Sequence, residues 1–75
     1  MKRTPVESSM IASVGYDEAS RILEIEFNTG RIYQYADVPP EEYQDLMEAE
    51  SHGRYFLAHI RDVYEYWPVR RTRRR

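Results

Sequence analysis

The stretch Ile22-Leu23-Glu24-Ile25-Glu26-Phe27-Asn28-Thr29-Gly30-Arg31-Ile32-Tyr33-Gln34-Tyr35 decides how this chain folds. Apolar and polar residues alternate on both sides of Asn28-Thr29-Gly30, which is the signature of two half-buried strands joined by a tight turn. Gly30 suits the left-handed position of a three-residue loop, a type I turn closed by a glycine bulge, which pairs Phe27 with Arg31. Counting back from that pair sets Ile25 opposite Tyr33 and Leu23 opposite Tyr35. Side chains alternate with period two, so Leu23, Ile25, Phe27, Tyr33 and Tyr35 share one face, the expected core face. Ile22, Glu24, Glu26, Ile32 and Gln34 share the other, a mixed and acidic one.

Upstream, Ser9 to Asp17 reads as an earlier strand, turned into the hairpin by Asp17-Glu18-Ala19-Ser20. Gly15 within it implies a bulge or a close backbone approach. Residues 1 to 7 are expected to be loose. Downstream, Asp37-Val38-Pro39-Pro40 stops the last strand, and Pro40 with Glu41 and Glu42 opens a helix expected over about 40 to 49. Tyr43, Leu46 and Met47 form its buried stripe, with Glu42, Asp45 and Glu48 toward water. His52-Gly53 reads as a C-terminal stop. A second helix is expected over about 54 to 64, on the spacing of Phe56, Ile60, Val63 and Tyr64. The fold class is therefore α+β: a three-stranded antiparallel meander followed by two α-helices packed on one face, with a basic C-terminal tail. One domain spans residues 1–69 and the arginine-rich tail 70–75.

Composition narrows the function. The chain has 75 residues, no cysteine and a net charge of −2. A domain this small has a marginal core, and without cysteine it has neither a disulfide framework nor a thiolate nucleophile. A reducing compartment, the cytoplasm, suits it. The opening residues lack the apolar run of a secretion signal, and no stretch approaches the roughly 20 apolar residues of a bilayer span, so no membrane association is expected. Charge is divided along the sequence: residues 1 to 69 hold 6 basic and 13 acidic groups, net −7, whereas Arg70, Arg71, Arg73, Arg74 and Arg75 fall in the last six positions. An acidic body repels phosphate, so any nucleic-acid affinity must come from this tail or from a local patch.

The residues in order also resemble a known family. Ser8-Ser9 and Ile11 leading to Val14-Gly15-Tyr16-Asp17, then Gly30 with Tyr33 and Tyr35, Val38-Pro39, and Ser51 with Gly53, Tyr55-Phe56, Ile60 and Tyr64 are similar to the lysyl-tRNA-synthetase C-terminal (KTSC) domain. The resemblance covers about residues 6 to 66. It departs at Leu57, where the family pattern carries an asparagine. The resemblance implies a non-catalytic module, found attached to lysyl-tRNA synthetases and alone, for which RNA binding has been suggested. It marks Gly15, Tyr16, Tyr33, Tyr35, Gly53, Tyr55 and Phe56 as motif positions, read here as structural.

The residues show no catalytic set, and the chain is expected not to be an enzyme. His52 and His59 are too few for a zinc site, so no metal and no cofactor are expected. Glu24 and Glu26 lie on an open sheet face with no cleft to separate their acidities. Gly15, Gly30 and Gly53 are isolated and form no phosphate loop. Binding is the remaining chemistry. Tyr33 and Tyr35 have the spacing of a stacking platform, but the register turns them inward. Arg54 and Arg61, seven apart, share a face if the second helix is regular, and extend a basic strip toward the tail or serve as ordinary surface residues. Tyr66 and Trp67, in the segment Tyr64 to Pro68, either pack back over Ile11, Ile22 and Ile32 or form an interface. The leading expectation is an RNA or tRNA module that uses Arg54, Arg61 and the tail for phosphate and Tyr66 or Trp67 for stacking. A protein-interaction or homo-oligomerisation module built on the aromatic segment is the second. A small-nucleotide binder lined by tyrosine hydroxyls and arginines is the third.

Overall fold

A computed structural model describes residues 1–69. Among the described residues seven elements follow one another: β1 (Arg3–Pro5), β2 (Ile11–Asp17), β3 (Ile22–Phe27), β4 (Ile32–Tyr35), α1 (Pro40–Glu48), α2 (His52–His59) and β5 (Tyr66–Pro68). The hairpin has the register its alternation dictates, with Ile25 opposite Tyr33 and Leu23 opposite Tyr35. Its loop closes as expected: Phe27 N–H donates to the Arg31 carbonyl at 2.9 Å and Gly30 N–H to the Phe27 carbonyl at 2.8 Å. Gly30 takes φ of 95°, a conformation that costs glycine least.

The sheet is wider than the expected meander. It has five antiparallel strands in the order β1-β2-β3-β4-β5. Part of the segment expected to be loose, Arg3–Pro5, pairs with Gly15 to Ser13 of β2. The aromatic segment after the helices returns to the opposite edge, where Tyr66, Trp67 and Pro68 pair with Tyr35, Gln34 and Tyr33. Both outer strands are three residues long and contain a proline, which limits further edge pairing.

In β2 the bulge falls at Ala12, between the pairs Ile11 with Phe27 and Ser13 with Glu26. Strict alternation would put Ile11 and Ser13 on one face. The extra residue lets Ile11 and Val14 both enter the core at 0% exposure while Ser13 turns to the other face. Gly15 is instead the close approach: an added Cβ would meet the Lys2 carbonyl oxygen and Arg3 Cγ, each at 2.9 Å.

Both helices cover the face that carries Leu23, Ile25 and Tyr35, and Leu46, Phe56 and Ile60 join the buried cluster. Helix α1 starts at Pro40 as its sequence requires and buries Leu46, with Tyr43 and Met47 half-buried. Helix α2 differs from expectation. His52-Gly53 begins it, because Ser51 is its N-cap and accepts from Arg54 N–H at 3.2 Å. Buried Gly53 lets the first turn settle on Met10, 3.3 Å from the position of its missing Cβ. The helix ends at His59, leaving Val63 65% exposed.

Several polar contacts lock the helices down. Tyr16 stacks on Tyr43 at 4.8 Å and its hydroxyl donates to the Val38 carbonyl at 2.6 Å, fixing the entry to α1. Glu42, expected to face water, accepts from Tyr55 at 2.7 Å and from Tyr64 at 3.4 Å, joining α1 to α2 and the segment beyond it. Burial pushes the pKa of the Tyr16 hydroxyl up, and burial with the Glu42 carboxylate pushes those of Tyr55 and Tyr64 up.

Candidate functional site

The two faces of the sheet meet different chemistry, and the registers fix both. On the outer face, Arg3, Gly15, Glu24, Gln34 and Trp67 form one cross-strand row through all five strands. Hydrogen bonds run along it. Trp67 Nε1 can only donate, so Gln34 Oε1 accepts from it at 3.0 Å, and Gln34 Nε2 donates to Glu24 Oε1 at 2.7 Å. Arg3 reaches across the bare surface of Gly15 to ion-pair with the other oxygen of Glu24. Its Nε donates to Ser13 Oγ at 3.0 Å, and Ser13 in turn donates to Glu26 at 2.7 Å. Glu24, 6% exposed, therefore has its charge and both oxygens satisfied. This face is a structural lattice, with its acidic groups already engaged.

The inner face carries a cleft of about 600 Å³ at the end of the sheet that the helices leave uncovered. Phe27, Tyr33, Tyr35, Phe56 and Tyr66 form its aromatic walls, Leu57 and Met10 add apolar surface, and Ser9, Asn28, Thr29 and Arg61 supply polar groups. Phe56 meets Phe27 and Tyr35 edge-on, with centroids 5.3 and 5.6 Å apart, and Tyr66 lies against Tyr33 and Tyr35 at 5.7 and 5.6 Å. Size and lining match those of ordinary ligand pockets. Tyr35 is 3% exposed, and burial, with the neighbouring Tyr66 and Tyr33 hydroxyls, pushes its ionisation up to about 12.

That shift gives the fold an alkaline limit. A tyrosine harder to ionise when folded binds more protons in the native than in the unfolded state above pH 10. Stability is therefore full below about pH 10 and falls as pH rises toward 12. Urea midpoints at rising pH, followed with tyrosinate absorbance, should show this loss. Tyr35→Phe should flatten the decline, leaving the part due to Tyr16, Tyr55 and Tyr64.

The residues singled out from sequence are distributed unevenly. Tyr33, Tyr35, Phe56, Arg61 and Tyr66 converge on the cleft. Arg54 does not: α2 ends before Arg61, and Arg54 lines a separate shallow depression with Tyr55, Ala58 and His59. The expected strip of Arg54 and Arg61 is absent for that reason. Trp67 belongs to the outer face with Gln34, opposite Tyr66. Ile11, one of the residues it was to cover, is in the core. Gly15 and Gly53 sit at close backbone approaches. Arg70, Arg71, Arg73, Arg74 and Arg75 lie outside the described residues. His52 Nδ1 donates to the Leu46 carbonyl at 2.8 Å and His59 stacks on Tyr55. No group of three or more potential metal ligands occurs among the described residues, and no helix there is long and apolar enough to cross a membrane. Asn28 and Thr29, read as turn residues, and Ser9 and Met10, read as the start of a strand, also line the cleft; those positions carry no sequence signal of a shared pocket.

Comparison with known proteins places this architecture. An uncharacterized protein of Stutzerimonas stutzeri is 46% identical over 70 residues, 92% of this chain and 99% of that relative. The crystal structure of a KTSC domain protein from Yersinia pestis superposes with a TM-score of 0.89 at 41% identity, covering 91% of this chain and 96% of that one. A lysine–tRNA ligase of Nostoc punctiforme is 35% identical over 60 residues, 80% of this chain but 11% of the ligase. The KTSC domain family model matches residues 7–64. With that match, and with the Gly15, Tyr33, Tyr35, Gly53 and Phe56 positions each tied to a structural role, the chain belongs to the KTSC domain family.

Proposed function

We propose that this protein is a non-catalytic RNA-binding module, with tRNA the expected ligand, that contacts phosphate through Arg70, Arg71, Arg73, Arg74 and Arg75. The observation that carries this reading is where the basic segment starts. Val69 N–H donates to the Ile32 carbonyl at 2.8 Å, at the hairpin end of β4. The sequence from Arg70 onward thus begins beside a shallow depression of about 340 Å³ lined by Gly30, Arg31, Ile32, Tyr33, Pro68 and Val69. Tyr33 is also a wall of the aromatic cleft. Arg31 and the aromatic surface of Tyr33 meet in that depression, whereas the acidic groups of the outer sheet face are tied to Arg3, Ser13 and Gln34. The likeness to a segment of lysine–tRNA ligases supports tRNA as the ligand class.

Fluorescence anisotropy with labelled tRNA tests the proposal. Five phosphate contacts should weaken binding roughly 100-fold between 50 and 200 mM salt. A chain ending at Val69 should lose both the affinity and this dependence. Equal binding by the shortened chain would remove the arginines from the mechanism, and no binding by the full chain at low salt would remove RNA.

A further inference from the structure

We infer that the aromatic cleft holds one unpaired nucleobase of the bound RNA, with Arg61 on a flanking phosphate, an inference that rests on the RNA-binding reading above. Charge is the first argument. The body of the chain carries 13 acidic residues, yet none lines the cleft, and among the described residues Arg61 is the one charged residue that does. Its Nε lies 3.6 Å from Asp62, but both side chains are exposed, so this pair holds the guanidinium weakly and leaves it available to phosphate.

Shape is the second. Tyr66 is 55% exposed, although it is an aromatic residue in direct contact with Tyr33 and Tyr35. Leu57, 42% exposed, faces the same opening. Burying these surfaces against a flat ring recovers apolar contact that the fold leaves unused, and a base stacked on an aromatic side chain gains about 10-fold or more in affinity. The cleft is large enough for one base with its sugar. A duplex keeps its bases stacked, so only an unpaired nucleotide can enter.

The third argument is continuity. The cleft meets the depression beside Val69 at Tyr33, so an RNA strand with one base inserted continues past Arg31 toward Val69, where the arginine sequence begins.

The test uses the full chain and two labelled probes, a short oligouridylate and an abasic ribose-phosphate oligomer of the same length. The two carry equal charge and differ in bases alone. Oligouridylate should bind about 10-fold tighter, with the same salt slope. Tyr66→Ala should erase that preference and leave the slope unchanged. Arg61→Gln should lower the slope by about 1 for both probes. Leu57→Trp fills the mouth of the cleft without removing support from β5, and should also erase the preference, so the result does not depend on Tyr66→Ala folding. Equal affinity for the two probes, or a preference that survives both cleft variants, would overturn the inference. Salt-dependent binding lost on truncation at Val69 would then leave the RNA reading standing. Failure of the full chain to bind either probe while it still binds labelled tRNA would overturn the inference alone, and failure to bind tRNA as well would overturn both. Shifts of cleft amide resonances by a tryptophan-containing peptide but not by oligouridylate would assign the cleft to a protein partner instead.

Discussion

Gly15→Val should destabilise this domain by roughly 3 to 5 kcal/mol, enough to leave much of the chain unfolded at 37 °C. The new side chain would point into the row Arg3, Gly15, Glu24, Gln34 and Trp67, where the Lys2 carbonyl oxygen and Arg3 Cγ each lie 2.9 Å from the first added atom and Met1 Sδ 3.1 Å. The Met1 and Arg3 side chains can swing away. The Lys2 carbonyl is backbone, so β1 must leave the sheet. When it goes, Arg3 goes with it, and Glu24, 6% exposed in the intact fold, loses both its counter-charge and the side chain lying over it. Removing one partner of a mostly buried pair costs more than the pair contributes, because the remaining carboxylate loses the charge and hydrogen bond that offset its desolvation.

Urea denaturation of Gly15→Val and Arg3→Ala, singly and together, separates these effects. If the glycine serves to let Arg3 cross β2, the two changes overlap, and the double variant should be at least about 1 kcal/mol more stable than the sum predicts. Strict additivity would disconnect Gly15 from the ion pair. A Tm within a few degrees of the parent for Gly15→Val would show that β1 contributes little, since a loss of 3 kcal/mol in a domain of this size lowers Tm by at least about 12 °C.

What was legible in the sequence, and what was not, follows from the range of the interactions involved. The hairpin was legible pair by pair because alternation and Asn28-Thr29-Gly30 act over neighbouring residues. The start of α1 was legible for the same reason, since Pro40 with Glu41 and Glu42 is a local signal. Strand β1 was not. Arg3-Thr4-Pro5 has no alternation, and its pairing is decided by an ion pair to Glu24, 21 residues away. Strand β5 was hidden because Pro68 reads as a stop and Tyr66-Trp67 carries two aromatics facing opposite ways. At α2, the Ser51 cap and the Gly53 stop signal compete, and packing against Met10 resolves the contest in favour of the cap.

The cleft was legible only as separate residues. Tyr33, Tyr35, Phe56, Arg61 and Tyr66 each drew attention, but their convergence requires β5 beside β4 and α2 ending at His59. Turning Tyr33 and Tyr35 inward suggests that they serve the fold more than the function. The structure separates the two: Tyr35 is buried, whereas Tyr33 is half-buried and stays at the rim. Aromatic residues at the uncovered end of a core face can therefore belong to core and site together.

Phe56 puts that overlap to the sharpest trial. It is 3% exposed, packs edge-on against Phe27 and Tyr35, and walls the cleft. Phe56→Ala removes a large buried ring and should cost about 3 to 5 kcal/mol, comparable to the whole stability expected of a domain with one small core and no disulfide. That variant should be largely unfolded by circular dichroism and cannot report on binding. Phe56→Leu is the informative change. It retains most of the volume and loses the two edge contacts, for an expected cost of about 1 to 2 kcal/mol, so the chain should remain folded with a lower urea midpoint. With a base in the cleft as proposed, its oligouridylate preference should fall while its salt slope stays at the parent value, because the proposed contact of the ring is to a base and not to phosphate. If Phe56→Leu lowers stability but leaves the base preference intact, Phe56 is core alone and the working surface of the cleft narrows to Tyr33, Leu57 and Tyr66. If Phe56→Ala stays folded within about 1 kcal/mol of the parent, the cluster that joins α2 to the sheet is not what holds the helix in place.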